Sequence, residues 1–503
     1  MNLTAVPTRP ARAGMSPRVG PAAVPPGARS WFVAALALVL AGNVMYSRHL
    51  FGDSYYDLYA GRYIIQHGIP RRNTVTAMSH GAPWIDQQWL AHVLYYAAWA
   101  AGGYRALAAL SVTLVTAGFA VLALLMLRRG VPAAGMFGWT LAAFAVCAGN
   151  TWIRAQSFAY LFIALLLWLI VEDDQAPRLR ARTWLVVPVL VLWANTHGSV
   201  LLGAGLAILY AGYRVVKALA RGTPRPIPGY LALGAAAAAA VVGTPYGIGV
   251  MRYYASLIGD PVLRRYVPEW APPSPQNPLS WAFFGLVLGT AIAVAVAWRR
   301  GARPDPLLSG LAIALLALAL TGLRFQAWFG FGGSLLAADT LARSSSGVPV
   351  LSAVFRRAAA GVLAVVALAT SVALAVTPDR QFESLIPRRP IDAAAAIAAR
   401  NPAIRVLADD WSCSPMLWLH PAMFGRVAFD SRFEQYSRQQ ISAYLEFLFV
   451  QGRGWQRVMN RYAIVVASRR WNPRLASALG SLPGWQVVYQ DGGGLVAERR
   501  AAA

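Results

Sequence analysis

Acidic residues are scarce in this chain: its 503 residues include 20 Asp+Glu against 45 Lys+Arg, a formal net charge of +25. Charged residues of both signs make up 13% while 57% are hydrophobic. Soluble globular domains carry roughly 25% charged residues, and so apolar a chain would leave large greasy patches in water, which excludes an ordinary soluble enzyme. Cysteine is nearly absent. Cys147, inside an apolar run, and Cys413, far along the chain, imply neither a disulfide framework nor a metal site. No Gly-rich phosphate loop and no dinucleotide fingerprint occurs, and no convincing internal repeat is present. The basic residues stand in short clusters between apolar segments rather than along one amphipathic face, so nucleic acid is not the expected partner.

What the chain has in quantity is long apolar sequence. Spans are expected near Trp31 to Tyr46, Ala106 to Leu127, Pro132 to Ala148, Ser157 to Val171, Trp184 to Ala194, Val200 to Val215 and Tyr230 to Gly243. Others fall near Trp281 to Trp298, Leu307 to Gly322, Ala327 to Leu341 and Ala359 to Val376, each close to the roughly 20 residues that cross a bilayer. The expected fold class is therefore an α-helical polytopic membrane protein with about eleven transmembrane helices. Residues 1–30 read as a disordered basic tail, and the first apolar run as an uncleaved helix rather than a signal peptide. Alternate connections carry Arg128/Arg129, Arg178/Arg180/Arg182, Arg214/Lys217/Arg221/Arg225, Arg299/Arg300/Arg303 and Arg343/Arg356/Arg357, the excess that marks cytoplasmic loops. The N-terminus is expected inside, and the segments around Asp53, Arg154, His197, Tyr246 and Arg324 outside.

The membrane domain then covers 31–376, with a first outer loop at 47–89. Residues 377–503 follow as a small extracytoplasmic α/β domain: short strand-like runs (Arg405 to Leu407, Val427 to Phe429, Ala463 to Ala467, Trp485 to Tyr489, Leu495 to Glu498) alternate with helical stretches such as Ile391 to Arg400 and Arg438 to Val450. Asp491-Gly492-Gly493-Gly494 reads as a hairpin turn, since no helix follows it.

Polar chemistry gathers at the outer connections. The first outer loop holds Asp53, Asp57 and Asp86 beside Trp84, Gln87, Gln88 and Trp89, a mixture suited to sugar hydroxyls and ring faces. Acids at a bilayer edge cost energy unless paired or functional, so each is either a working carboxylate or a capping and pairing group for Arg48, Arg62, Arg71 or Arg72. Arg154 either holds a phosphate or snorkels to headgroups; His197 either donates to an anion or caps a helix. Tyr246, Arg252, Glu269 and Trp270 belong to a second long outer loop rich in cations and aromatics, and Arg324 is a cation at the end of two late helices. Asp409, Asp410, Asp430, Arg432 and Glu434 of the tail are expected on a solvated surface.

Taken in order, GDSYYDLYAGRYIIQHGIPRRNT, APWIDQQWLAHVLYY, IRAQSF, LWANTHGSVLLG, GTPYGIGVMRYY, YVPEW and LRFQAWF resemble a bacterial branch of the GT-C membrane glycosyltransferases, and AFDSRFEQY and WQVVYQDGG resemble that branch's outer domain. The resemblance implies a multi-pass protein of the bacterial inner (plasma) membrane. Its implied activity is transfer of a hexosyl or pentosyl group from a polyprenyl-phosphate donor to a glycan, lipid or protein acceptor at the outer face. Asp53 matches the family's first-loop acid, the implied base. Inversion at the anomeric carbon follows by analogy with inverting glycosidases. Arg154, His197, Arg252 and Arg324 are the expected stabilisers of the leaving phosphate; Asp57, Trp84, Asp86, Gln88, Tyr246 and Glu269 are further substrate-binding candidates. A divalent cation, Mg or Mn, is the one cofactor left open, although Asp53 is followed by Ser54 rather than by a second acid. Two alternatives stand beside transfer: a flippase for a polyprenyl-linked glycan, and a polysaccharide polymerase or ligase.

Overall fold

A computed structural model describes residues 28–258, 261–344, 352–452 and 454–500. The basic tail expected at 1–30 lies outside the described residues up to position 27; Ala28 already begins the first helix, Ala28–Ser47. Among the described residues seven helices are long and apolar enough to cross a membrane, and Ala181–Ala194, Ile227–Ala240 and Pro306–Ala319 are shorter apolar ones. Each expected span has its helix. The span expected at Ala327 to Leu341 is Gln326–Ser344, whose side chains are buried from Gln326 to Thr340. It packs against Ala133–Cys147, Trp281–Arg299 and Pro306–Ala319, so protein rather than lipid surrounds it, which is why so polar a segment is tolerated.

Two elements add to the expected topology. The first outer loop is not irregular: Gly52–His67 is a helix lying against the start of Trp89–Arg128. Gly61 allows this approach, because a Cβ there would run into the His92 carbonyl and lie 2.6 Å from Tyr96 Cβ. The helix at Trp89 begins well before the span expected from Ala106 and kinks where Gly103 takes φ 66°, a left-handed value that favours glycine. Its first leg, 89–101, packs under the outer loop before the second leg continues as the span.

On the face opposite Asp53, one ionic cluster ties three elements. Arg129 pairs with Asp305 and Asp339, each at 2.8 Å, and Arg343 reaches the same two acids at 3.1 and 2.7 Å.

The tail forms a four-stranded sheet of β1 (Val406–Ala408), β2 (Ile464–Ser468), β3 (Trp485–Gln490) and β4 (Gly494–Arg499), in the order β1-β2-β4-β3. β1 runs parallel to β2 in the register Val406 to Ile464; β4 is antiparallel to both its neighbours. The turn at Asp491 is the expected hairpin, its Oδ1 accepting from the Gly493 and Gly494 amides at 2.8 and 3.0 Å. β2 is buried on both faces. Ile464 and Val466 join the core with Ile391 and Ala394 of Arg388–Ala399, while Val465 and Ala467 pack with Leu475 and Leu479 of Pro473–Gly480. The run at Val427 makes isolated bridges to Val406 and Thr76 instead of a fifth strand. The bridge to Thr76 locks the domain to the segment 47–89. So do Tyr59, whose hydroxyl donates to Asp430 Oδ2 at 2.7 Å, and Arg62, which donates to the carbonyls of Leu417 and Trp418 at 3.1 Å.

Candidate functional site

Asp53 is the second residue of Gly52–His67, a first-turn position where the helix dipole favours an acid. Four residues on, Asp57 shares its face. Both line a cavity of about 130 Å³ together with Gln88, Arg154, Gln156, His197, Tyr253, Glu269 and Arg324, and with Ser431, Arg432, Phe433 and Glu434 of the C-terminal domain. Most of these groups come from turns. Arg154 precedes Gln156–Asp174, Glu269 sits in the turn Pro268–Trp270, Arg324 in the turn Leu323–Phe325, and His197 in the polar break between Val186–Ala194 and Val200–Ala220. The kinked bundle brings these connections to one end.

Three charged contacts organise the centre. Arg154 Nη1 lies 3.8 Å from Asp53 Oδ2 and 3.4 Å from Glu269 Oε2, and Arg324 Nη1 lies 3.4 Å from Glu269 Oε1. Arg324 also covers the Trp270 ring at 4.3 Å. Burial pushes the Asp53 carboxyl up to about 6; Arg154 and Arg324 oppose the rise, Glu269 and Asp57 add to it. Its side chain is nevertheless 40% exposed to the cavity, so it stays accessible to a ligand. Burial would raise Glu269 too, but the guanidiniums of Arg324 and Arg154 outweigh it and hold the acid below its ordinary range. Burial, reinforced by Arg324 and Arg154, depresses His197 well below its usual value, so the imidazole is neutral. The Ser199 amide donates to its Nδ1 at 3.2 Å, which leaves the ring proton on Nε2 as a donor.

The cavity opens into a groove of about 420 Å³. The two share Gln88, Gln156, His197, Tyr253, Trp270 and Arg324, and the groove continues between Leu201, Leu202, Leu318 and Trp328. A polar end thus meets an apolar channel, the shape that fits a phosphate carrying a hydrocarbon chain.

Of the residues singled out in the sequence, Asp53, Asp57, Gln88, Arg154, His197, Glu269 and Arg324 meet at this cavity. Four lie elsewhere. Trp84 is buried beneath the Arg432 guanidinium, 4.2 Å from its ring. Asp86 is buried, with Oδ2 3.0 Å from His92 Nδ1. The Tyr246 hydroxyl donates to the Pro70 carbonyl at 3.0 Å, bracing the first loop, and Arg252 is exposed outside the cavity lining. The solvated surface expected for the tail acids is corrected as well: Asp409, Asp430 and Arg432 are buried.

Sequence reasoning misses His92 and places Arg432 and Glu434 on a solvated surface, while Tyr253 belongs to the second long loop expected to carry cations and aromatics. His92 stands between two acids, Nε2 3.2 Å from Asp57 Oδ1 and Nδ1 against Asp86, without solvent exposure. Its place six residues after Asp86 and near Gln88 was the available signal. Arg432 and Glu434 stand in FDSRFEQY, yet only the stacking of Arg432 on Trp84 and the place of Glu434 in the cavity lining distinguish them from surface charge. Among the described residues no group of three or more His, Cys, Asp or Glu side chains is placed to hold a metal ion.

No family model matches the chain, and no curated protein sequence matches it. Solved structures do. The crystal structure of ArnT from Cupriavidus metallidurans bound to undecaprenyl phosphate superposes with a TM-score of 0.53 at 15% identity, covering 93% of this chain and 98% of that one. The same protein in the apo state gives 0.50 at 16% identity, with coverage of 92% and 96%. The likeness spans both the helical bundle and the C-terminal domain, and the chain shares the ArnT fold.

Proposed function

We propose that this protein is a membrane glycosyltransferase that moves a sugar from a polyprenyl-phosphate donor to an acceptor hydroxyl at the outer face of the bacterial plasma membrane, with inversion. The observation that carries the reading is the adjacency of an accessible carboxylate, Asp53, to a chain of guanidiniums at the head of an apolar groove. The fold agrees with it, since the ArnT structure of the same fold was solved with undecaprenyl phosphate bound.

Each group has a task in this chemistry. The acceptor oxygen attacks the anomeric carbon as its proton passes to the Asp53 carboxylate. The bond from that carbon to the phosphate oxygen breaks, and polyprenyl phosphate leaves with one more negative charge. A carboxylate that binds protons near pH 6 is a stronger base than an ordinary aspartate and is still ionised at neutral pH. Arg324 and Arg154 face the developing charge in a poorly hydrated site, where fixed donors are worth more than in water. Neutral His197 contributes an N–H donor without adding charge. The groove lined by Leu201, Leu202 and Leu318 receives the first isoprene units. With one base and no covalent partner, displacement is single and the anomeric configuration inverts.

The test is transfer itself. Purified protein is supplied with radiolabelled polyprenyl-phosphate sugars and a membrane extract as acceptor, and wild type is compared with Asp53→Asn. Transfer by wild type and its loss in Asp53→Asn, with donor binding retained, supports the reading. Equal transfer by both removes the base. Translocation of the labelled lipid across liposomes without any transfer would make the protein a flippase.

A further inference from the structure

One wall of the Asp53 cavity is supplied by the C-terminal domain, and the lining holds three unmet hydrogen-bonding atoms: Arg154 Nε beside Asp53, and one each on Arg432 and Asp57. Arg432 is buried, yet its Nη1 has no partner. Its other nitrogens are taken: Nε donates to Asp430 Oδ2 at 2.8 Å, and Nη2 approaches the same oxygen at 2.6 Å and donates to Asn73 Oδ1 at 3.2 Å. Asp57 is the counterpart on the first-loop helix. His92 stands 3.2 Å from its Oδ1, whereas Oδ2 is buried with no partner in hydrogen-bonding geometry, although the Ala155 backbone amide acts on the carboxylate as a weak donor. A buried donor or acceptor left unmet is costly, so such atoms persist where something outside the protein completes them.

Arg432 Nη1 and Asp57 Oδ2, a lone donor and a lone acceptor lining one cavity, fit a group that both accepts and donates. Hydroxyls do, and neighbouring hydroxyls of a sugar ring do so twice. Charge separates the two ends of the cavity as well. Arg154 and Arg324 divide the Glu269 carboxylate between them, leaving guanidinium N–H groups for an anion, whereas Asp430 pairs with Arg432, and Asp57 and Glu434 beside that pair are acids that repel one. A phosphate is favoured at the first end and an uncharged polyol at the second.

We propose that Asp57 and Arg432, with Glu434 beside them in the same wall, form the sugar-recognition end of the site, so that the donor lies with its phosphate at Arg324 and its sugar against the C-terminal domain. This deepens the transfer reading and rests on it. The outer domain is then a working part of the site rather than a brace: its segment 430–434 sets which sugar is accepted. The buried Asp57, His92, Asp86 row positions Asp57, with His92 as the positioning residue and Asp86 holding its far nitrogen.

The test compares the affinity of purified full chain for bare undecaprenyl phosphate with that for a panel of undecaprenyl-phosphate hexoses and pentoses. Wild type is expected to bind one sugar-bearing lipid at least tenfold tighter than the bare lipid. Asp57→Asn and Arg432→Lys are expected to bind the bare lipid as wild type does and to lose that preference, the retained binding showing that they are folded. Glu434→Gln, which disturbs no buried ion pair, is expected to reduce the preference, and it decides the matter if a buried variant loses the bare lipid too. A preference undiminished in the folded variants, or absent from wild type for every sugar, overturns the proposal while leaving transfer intact. A wild type that binds neither form of the lipid overturns the transfer reading along with it.

Discussion

Arg154 Nη1 stands 3.8 Å from Asp53 Oδ2, close enough to feel its charge and too far to donate to it. The guanidinium is engaged elsewhere, by Glu269 at 3.4 Å and by Asn150 Oδ1, which accepts from Nη2 at 2.9 Å. Asp53 is thereby oriented without being neutralised. A tight ion pair would depress its basicity; this spacing lets burial raise it.

The pH dependence of transfer follows. Asp53 must be ionised to take a proton, and its pKa of about 6 makes activity rise with pH through that value. Glu269→Gln removes a negative neighbour that raises this pKa and frees Arg154 for Asp53, so the acid limb of kcat/KM is expected to move below 6. Movement upward, or no movement, would show that Asp53 does not set the limb.

Asp53→Asn keeps size and polarity and loses the base. Transfer is expected to fall by about 10²–10⁴-fold, the usual contribution of a positioned general base, with donor affinity within a few-fold of wild type. Single-turnover rates beside equilibrium binding separate the two effects.

Arg324→Ala should act on binding instead. Removing a charged donor from a phosphate costs roughly 1.5–3 kcal/mol, which corresponds to a donor affinity about ten- to a hundredfold weaker. Titration with bare undecaprenyl phosphate reads this directly. Unchanged affinity would move the phosphate away from the groove head.

His92→Ala is a stability prediction. It leaves Asp57 and Asp86 facing each other's charge in a buried site, and breaking a buried pair costs about 3–5 kcal/mol. The melting temperature in detergent should drop markedly, and less so for His92→Gln, which still donates. A melting point equal to wild type would mean the two acids are protonated or hydrated.

Gly61→Ala tests the seating of the first-loop helix. The new methyl meets the His92 carbonyl and Tyr96, so the helix must move off the leg at 89–101, at a cost of about 1–3 kcal/mol. Since Asp53 and Asp57 ride on that helix, donor affinity and transfer should fall together. Transfer at wild-type level would show that the leg gives way instead.

The sequence by itself determined the membrane architecture, because crossing a bilayer demands long apolar runs whatever the packing, and these are readable from Trp31 to Val376. It also marked most of the cavity residues, since Asp53, Arg154, His197, Glu269 and Arg324 are polar groups at connections between apolar runs, where they cost energy without a purpose. It determined the hairpin at Asp491 for a local reason, the turn chemistry of one acid and three glycines. Tertiary structure alone decided the rest. His92 looks like an unremarkable polar residue until the close approach at Gly61 brings its helix against the one that carries Asp57. Asp430 and Arg432 read as surface charge until Tyr59, Asn73 and Trp84 from the far end of the chain enclose them. Tyr246 and Arg252 carry the same composition signal as Arg324, and their placement away from the cavity depends on where the second long loop turns. Burial and long-range pairing separate a working charge from a bystander, and neither is a property of local sequence.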